Sequence, residues 1–86
     1  MPVLTRFYGI VIAMYYNDHA PPHFHAKYGD SEATIRIDNG QILDGALAAR
    51  AQRLVEEWRL LHQSELSEDW ALAQARQPLQ AIAPLE

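Results

Sequence analysis

His23-Phe24-His25-Ala26-Lys27-Tyr28-Gly29-Asp30-Ser31-Glu32-Ala33-Thr34-Ile35-Arg36 is the stretch whose reading decides the fold. Before Gly29-Asp30, Phe24, Ala26 and Tyr28 alternate with His23, His25 and Lys27, the two-residue period of a strand with one face inward. After it, Ala33, Ile35 and Ile37 alternate with polar residues through Asp38. A two-residue turn at Gly29-Asp30 sets Lys27 opposite Glu32, His25 opposite Thr34 and His23 opposite Arg36. On the other face it sets Ala26 against Ala33 and Phe24 against Ile35. Apolar meets apolar and a lysine meets an acid, so turn chemistry and side-chain pattern agree on one register.

Working outward, Asn39-Gly40 signals a further hairpin through a type I′ turn, with Ile37 against Ile42 and a short return strand at 41–43. On the other side, Phe7-Tyr8-Gly9-Ile10-Val11-Ile12-Ala13-Met14-Tyr15-Tyr16 is aromatic and β-branched and reads as one strand, apolar on both faces. Residues 17–22 form a loop closed by Pro21-Pro22, neither of which has a ladder donor.

After Asp44-Gly45 the period becomes helical. Leu47, Ala51, Leu54, Val55, Trp58, Leu61 and His62 fall on one stripe, with Gln52, Glu56, Arg59 and Gln63 opposite and Asp44 as N-cap. A second helix is expected over about Glu65–Arg76, capped by Ser64, with Glu65, Glu68 and Asp69 complementing its dipole and Leu66, Trp70 and Ala73 inward. Trp58 and Trp70 read as core anchors. The apolar tail 79–85 is expected to lie extended over the core. The fold class is therefore α+β, a single domain over residues 1–86. A four-stranded antiparallel β-meander is followed by two α-helices packed on one face and an extended C-terminal tail.

Composition narrows the function classes. Eighty-six residues allow one small core. The formal charge of −4 argues against a nucleic-acid binder held by a general basic field. There is no cysteine, hence no disulfide, thiolate ligand or cysteine nucleophile. The run 7–16 is half the length of a membrane helix and the first residues lack a signal-peptide pattern. The chain reads as a soluble bacterial cytoplasmic domain without a membrane partner.

Three of the four histidines fall in His19-Ala20-Pro21-Pro22-His23-Phe24-His25. Four readings apply. His23 and His25 leave one strand face about 6–7 Å apart and can meet one ion. His19 would then fold back as a third ligand, and Asp18 would serve as a fourth ligand or as an acceptor fixing a ring tautomer. That set suits a divalent transition metal such as zinc, nickel, iron or manganese. Alternatively, His19, His23 and Arg36 are candidate catalytic residues of a metal-free RNase-like toxin, with Lys27 as a further cation. Third, the histidines are simply polar residues on an outer sheet face. Fourth, if Tyr16 pairs with His23, then Tyr16, Met14 and Ile12 flank His23, His25 and Lys27 in an apolar, histidine-edged patch that marks an interface.

Phe7-Tyr8-Gly9, Asp18-His19-x-Pro21-Pro22-His23-Phe24-His25 and Trp58, with the closing Pro78–Leu85 stretch, resemble a bacterial family known as domain of unknown function 4160. The resemblance brings no catalytic residues. Members often sit beside a second small protein, so it implies one half of a toxin–antitoxin-like pair. The sequence reading commits to the interaction module, with a protein partner or a homodimer, and leans away from an enzyme. Its binding surface holds Tyr16, Asp18, His19, Pro21, Pro22, His23 and His25; the metal site at His19, His23 and His25 is the alternative.

Overall fold

The structure, a computed structural model, describes residues 2–16 and 18–86. Five strands and two helices follow in chain order: β1 Val3–Phe7, β2 Ile10–Ala13, β3 His23–Tyr28, β4 Ser31–Arg36, β5 Ile42–Gly45, α1 Ala49–Leu61 and α2 Gln63–Gln74. The strands form one antiparallel sheet in sequential order. The α+β meander holds, but the sheet has five strands, not four.

The extra strand arises because the apolar run 7–16 is not continuous. Phe7 pairs with Ile10 across a two-residue turn, Tyr8-Gly9, whose φ angles are both positive (49° and 80°). Positive φ at both central residues is the type I′ geometry, which matches the twist of the flanking strands. Tyrosine seldom adopts that conformation, so residue type alone does not betray the turn. Gly9 also lies close under Tyr28: a β-carbon there would be 3.4 Å from its ring.

The β3–β4 register is the expected one in all five pairs, closed by Gly29 at φ 59°. The next connection differs. Ile42 pairs with Ile35, not Ile37, and a loop spans residues 37–41. Ile37 is buried, and its N–H donates to the Pro22 carbonyl on the β3 side at 3.1 Å. Its own carbonyl accepts from Arg59 Nη1 at 2.8 Å. These two bonds hold Ile37 away from β5. Asp44 lies in β5 and caps nothing; the residue before α1 is Ala48, without a side-chain cap.

Phe24, Ala26, Ile10, Ile12, Ala33 and Ile35 line the sheet face that meets Ala51, Val55 and Trp58 of α1 and Leu66 and Ala73 of α2. The Trp58 ring lies 5.7 Å from that of Phe7 and 5.8 Å from that of Phe24. Its Nε1–H donates to the Ala83 carbonyl, which binds the tail to the core. The tail lies extended as expected. Ile82 and Leu85 are buried, and Ile82 N–H donates to Leu4 O along the free edge of β1.

Two α1 expectations invert. Leu61 is 67% exposed, whereas Arg59, expected on the solvent side, is 3% exposed between Glu56 and the Ile37 carbonyl. The second helix begins and ends two residues before the expected positions, after His62 instead of a Ser64 cap, and Asp69 is buried. His62 is half-buried, bonded to Glu65 at 2.6 Å and packed against Trp58 at the edge of the core.

Candidate functional site

The β2–β3 register positions the site. Ala13 pairs with His25, Val11 with Lys27 and Ile12 with Ala26. This is one residue away from the pairing of Tyr16 with His23, so the faces exchange. Ile12 and Met14 are buried on the helix side. Tyr16 leaves the site, its hydroxyl donating to the Gln77 carbonyl at 3.1 Å. Val11, Ala13 and Tyr15 stand beside His25 and Lys27 instead. Tyr15 packs edge-on against His25 with ring centroids 4.4 Å apart. The sequence offered no signal for Tyr15 other than this register.

At the N-terminal end of β3, three side chains converge. Asp18 Oδ2 lies 3.0 Å from His23 Nε2 and 3.3 Å from His25 Nε2, and the three atoms all lie within 4.8 Å of one another. His23 is buried, its ring inclined to that of Trp70 of α2 with centroids 5.1 Å apart, and His25 and Asp18 are partly buried. The loop is anchored from α2, where Gln74 Nε2 donates to the Asp18 backbone carbonyl. The Ala20–Pro21 peptide bond is cis.

The outer nitrogens of both rings are also engaged. His23 Nδ1 lies 2.7 Å from the Pro21 carbonyl oxygen. A carbonyl only accepts, so Nδ1 carries a hydrogen and a neutral His23 ring presents a bare Nε2 lone pair to Asp18. His25 Nδ1 lies 3.3 Å from Thr34 Oγ1 and 3.7 Å from Glu32 Oε2. The carboxylate likewise favours the hydrogen on Nδ1 and the lone pair on Nε2.

The structure thus brings Asp18, His23 and His25 together. His19 is exposed and stands outside the group. Arg36 is opposite His23 in β4, but its guanidinium is held by Asp38 at 2.6 and 3.1 Å, and this pairing lowers the Asp38 carboxyl below its ordinary value. The set proposed for metal-free phosphodiester chemistry is therefore not assembled. Pro21 contributes its carbonyl; Pro22 is exposed and receives the Ile37 N–H.

Beside the triad lies a hollow of about 120 Å³ bounded by Val11, Ala13, Tyr15, His25, Lys27 and Glu32. Burial, then the negative charges of Glu32 and Asp18, push the Tyr15 phenol pKa above its ordinary value. A wider open hollow along the outer face of α1 shares no residue with the histidine group. No helix among the described residues is long and apolar enough to cross a membrane.

Residues 9–71, which include the triad and the hollow, match the family model described as "Domain of unknown function (DUF4160)". No curated protein and no solved structure matches the chain.

Proposed function

Since the chain belongs to the DUF4160 family, whose description names no activity, we propose from the site that it is a small protein binding a divalent transition metal through Asp18 Oδ2, His23 Nε2 and His25 Nε2. The observation that carries this reading is the hydrogen bond of His23 Nδ1 to the Pro21 carbonyl. It turns a lone pair toward a carboxylate 3.0 Å away, an arrangement that is repulsive unless positive charge sits between them. Bonds of about 2.0–2.2 Å to one ion separate neighbouring ligands by about 3.0 Å at octahedral and 3.4 Å at tetrahedral angles. The two separations from Asp18 Oδ2, 3.0 and 3.3 Å, fall in that interval. Two histidines and a carboxylate suit zinc, iron(II), nickel or manganese, and three protein ligands leave positions for a further ligand. A proton held as an imidazolium is the competing occupant. Calorimetric titration of the metal-free protein with zinc separates the two: one equivalent bound, abolished in His25→Ala and retained in His19→Ala, supports the ion. Heat no greater than that of His25→Ala sinks it.

A second reading gives the same sheet face to a protein partner, either a second copy or the other half of a toxin–antitoxin-like pair. The half-buried Val11 and Tyr15, an apolar and an aromatic side chain on the face that carries His25, favour it. Native mass spectrometry on chelated protein tests the homodimer form, and a strict monomer counts against it.

A further inference from the structure

The outer face of α1 carries a second surface, remote from the histidines. Ala49, Gln52, Arg53, Glu56, Glu57 and Leu60 line its open hollow of about 650 Å³. The lining is mostly carbon, from Ala49, Leu60 and the stems of the longer side chains. Leu60 is 62% exposed and its neighbour Leu61 67%, the highest values of any large apolar side chain among the described residues. None of the polar side chains in the lining is buried, so none is fixed to orient a small molecule.

The charges on this face run against their own helix. Arg50 and Arg53 lie in its N-terminal half, Glu56 and Glu57 in its C-terminal half, and no acid occupies the first turn. The macrodipole favours the reverse order. Arg53 and Glu57 stand four residues apart in the less favourable orientation, and neither is ion-paired among the described residues; the ion pair within α1 is Glu56 with Arg59.

An order that does not serve one helix serves two antiparallel ones. The six lining positions are spaced symmetrically about the midpoint between Leu54 and Val55. A two-fold axis through that point sets Ala49 opposite the partner's Leu60, Arg53 opposite the partner's Glu56 and Gln52 opposite the partner's Glu57. Small meets large, a cation meets an acid, and the two macrodipoles oppose. A patch complementary to itself closes as an isologous dimer and not as a fibre.

We infer that α1 pairs antiparallel with α1 of a second copy of this chain, Leu60 seating on the partner's Ala49 and Arg53 reaching the partner's Glu56 and the partner's Glu57. The 13 residues of α1 span about 20 Å, so the contact falls short of the standard interface of about 800 Å² per partner, and association is weak and reversible. The surface shares no residue with the metal site or the sheet-face hollow, so the inference rests on neither reading.

The test is sedimentation velocity of the full chain from micromolar to millimolar protein, with chelator present throughout. The expected result is a monomer–dimer equilibrium that Leu60→Glu abolishes. Arg53→Glu sets like charges opposite and should raise the dimer Kd about tenfold, and Arg53→Glu/Glu57→Arg should recover most of that loss. The substituted side chains are exposed, and urea unfolding verifies that each variant keeps the parent fold. A strict monomer at millimolar concentration overturns the inference and leaves the face to a different protein. A dimer unchanged by Leu60→Glu overturns it too and moves the contact elsewhere, the sheet face included. An Arg53→Glu loss that the double variant does not recover overturns the antiparallel pairing.

Discussion

His23 Nε2 lies 3.0 Å from Asp18 Oδ2, across a loop of only four intervening residues. The contact is made because Pro21 lends its carbonyl to the far side of the same ring at 2.7 Å and Gln74 of α2 holds the Asp18 backbone. The loop, the strand and the second helix therefore all fix one imidazole. The ring also packs against Trp70, so rotating it away from Asp18 would disturb the α2 packing as well. Such fixation removes the entropy that two free histidines would lose on capturing an ion.

The metal affinity should follow this hierarchy. Outer-sphere partners of ligating histidines are worth about 10–100-fold in affinity. Thr34→Val removes the hydroxyl 3.3 Å from His25 Nδ1, and zinc Kd should rise about tenfold with the circular dichroism spectrum unchanged. Asp18→Asn removes a ligand itself and should weaken zinc by about a hundredfold or more. Calorimetric titration of both variants gives the ranking. Equal Kd values in Thr34→Val and the parent would show that His25 is not oriented through its Nδ1.

The Tyr8-Gly9 turn yields a stability test. A non-glycine residue at φ 49° costs about 1–2 kcal/mol, and Asn tolerates that region. The Tyr8 side chain is 51% exposed and packs edge-to-face with Phe7, with centroids 6.4 Å apart, a contact worth about 0.5–1 kcal/mol. Tyr8→Asn creates Asn-Gly, the preferred type I′ pair. Relief of strain outweighs the lost contact, and urea unfolding should show a gain of about 0.5 kcal/mol. A loss of stability would mean that the tyrosine ring contributes more than its exposure indicates.

How much of this was legible in the sequence depended on whether local pattern and turn chemistry agreed. At Gly29-Asp30 they did, and every pair from His23–Arg36 to Lys27–Glu32 followed from the residues alone. At Tyr8-Gly9 a bulky aromatic sat where a turn residue belongs, so two strands read as one. The β2–β3 register hung on a long irregular connection with no hairpin turn to count from, and a slip of one residue exchanged Tyr16 for Tyr15. Asp18 and the two strand histidines were visible from spacing; the exclusion of His19 was not, because it depends on where the loop turns. The Arg59 position was hidden for another reason: its acceptor is a backbone carbonyl, Ile37 O, which no side-chain pattern encodes.

That arginine should matter more to stability than its place on the polar stripe suggests. Arg59 Nη1 gives the Ile37 carbonyl its donor, and Nε bonds Glu56 at 2.8 Å. The Glu56 hydrogen bond and charge raise the Arg59 pKa, and Arg59 in turn lowers that of Glu56. Arg59→Met keeps most of the aliphatic stem but orphans the carbonyl, and should cost about 2–3 kcal/mol in urea unfolding. Arg59→Lys should recover only part, since one ammonium cannot reproduce the planar fork. Full recovery by lysine would show that charge alone anchors the 37–41 loop.

The pH dependence of stability should carry the mark of Asp69. Its side chain is fully buried in α2; Oδ1 accepts from the Gln80 N–H at 2.8 Å, and Oδ2 has no partner among the described residues. Burial raises its pKa, the Gln80 N–H opposes the rise, and the charges of Glu68 and Glu65 add to it. A carboxyl with a higher pKa folded than unfolded binds more protons in the native state between those two values. Its favourable contribution is therefore present at low pH and lost as pH climbs from the ordinary aspartate range through the raised folded value. Asp69→Asn keeps an oxygen for Gln80 and removes the charge that must be buried near neutrality. The expected outcome is a variant more stable than the parent at pH 7, with the difference shrinking or reversing near pH 4, read as urea midpoints at both values. If the parent gains on the variant as pH rises, the carboxylate is stabilised when charged, and the tail is held by an ionic contact at Oδ2 rather than by the single bond to Gln80.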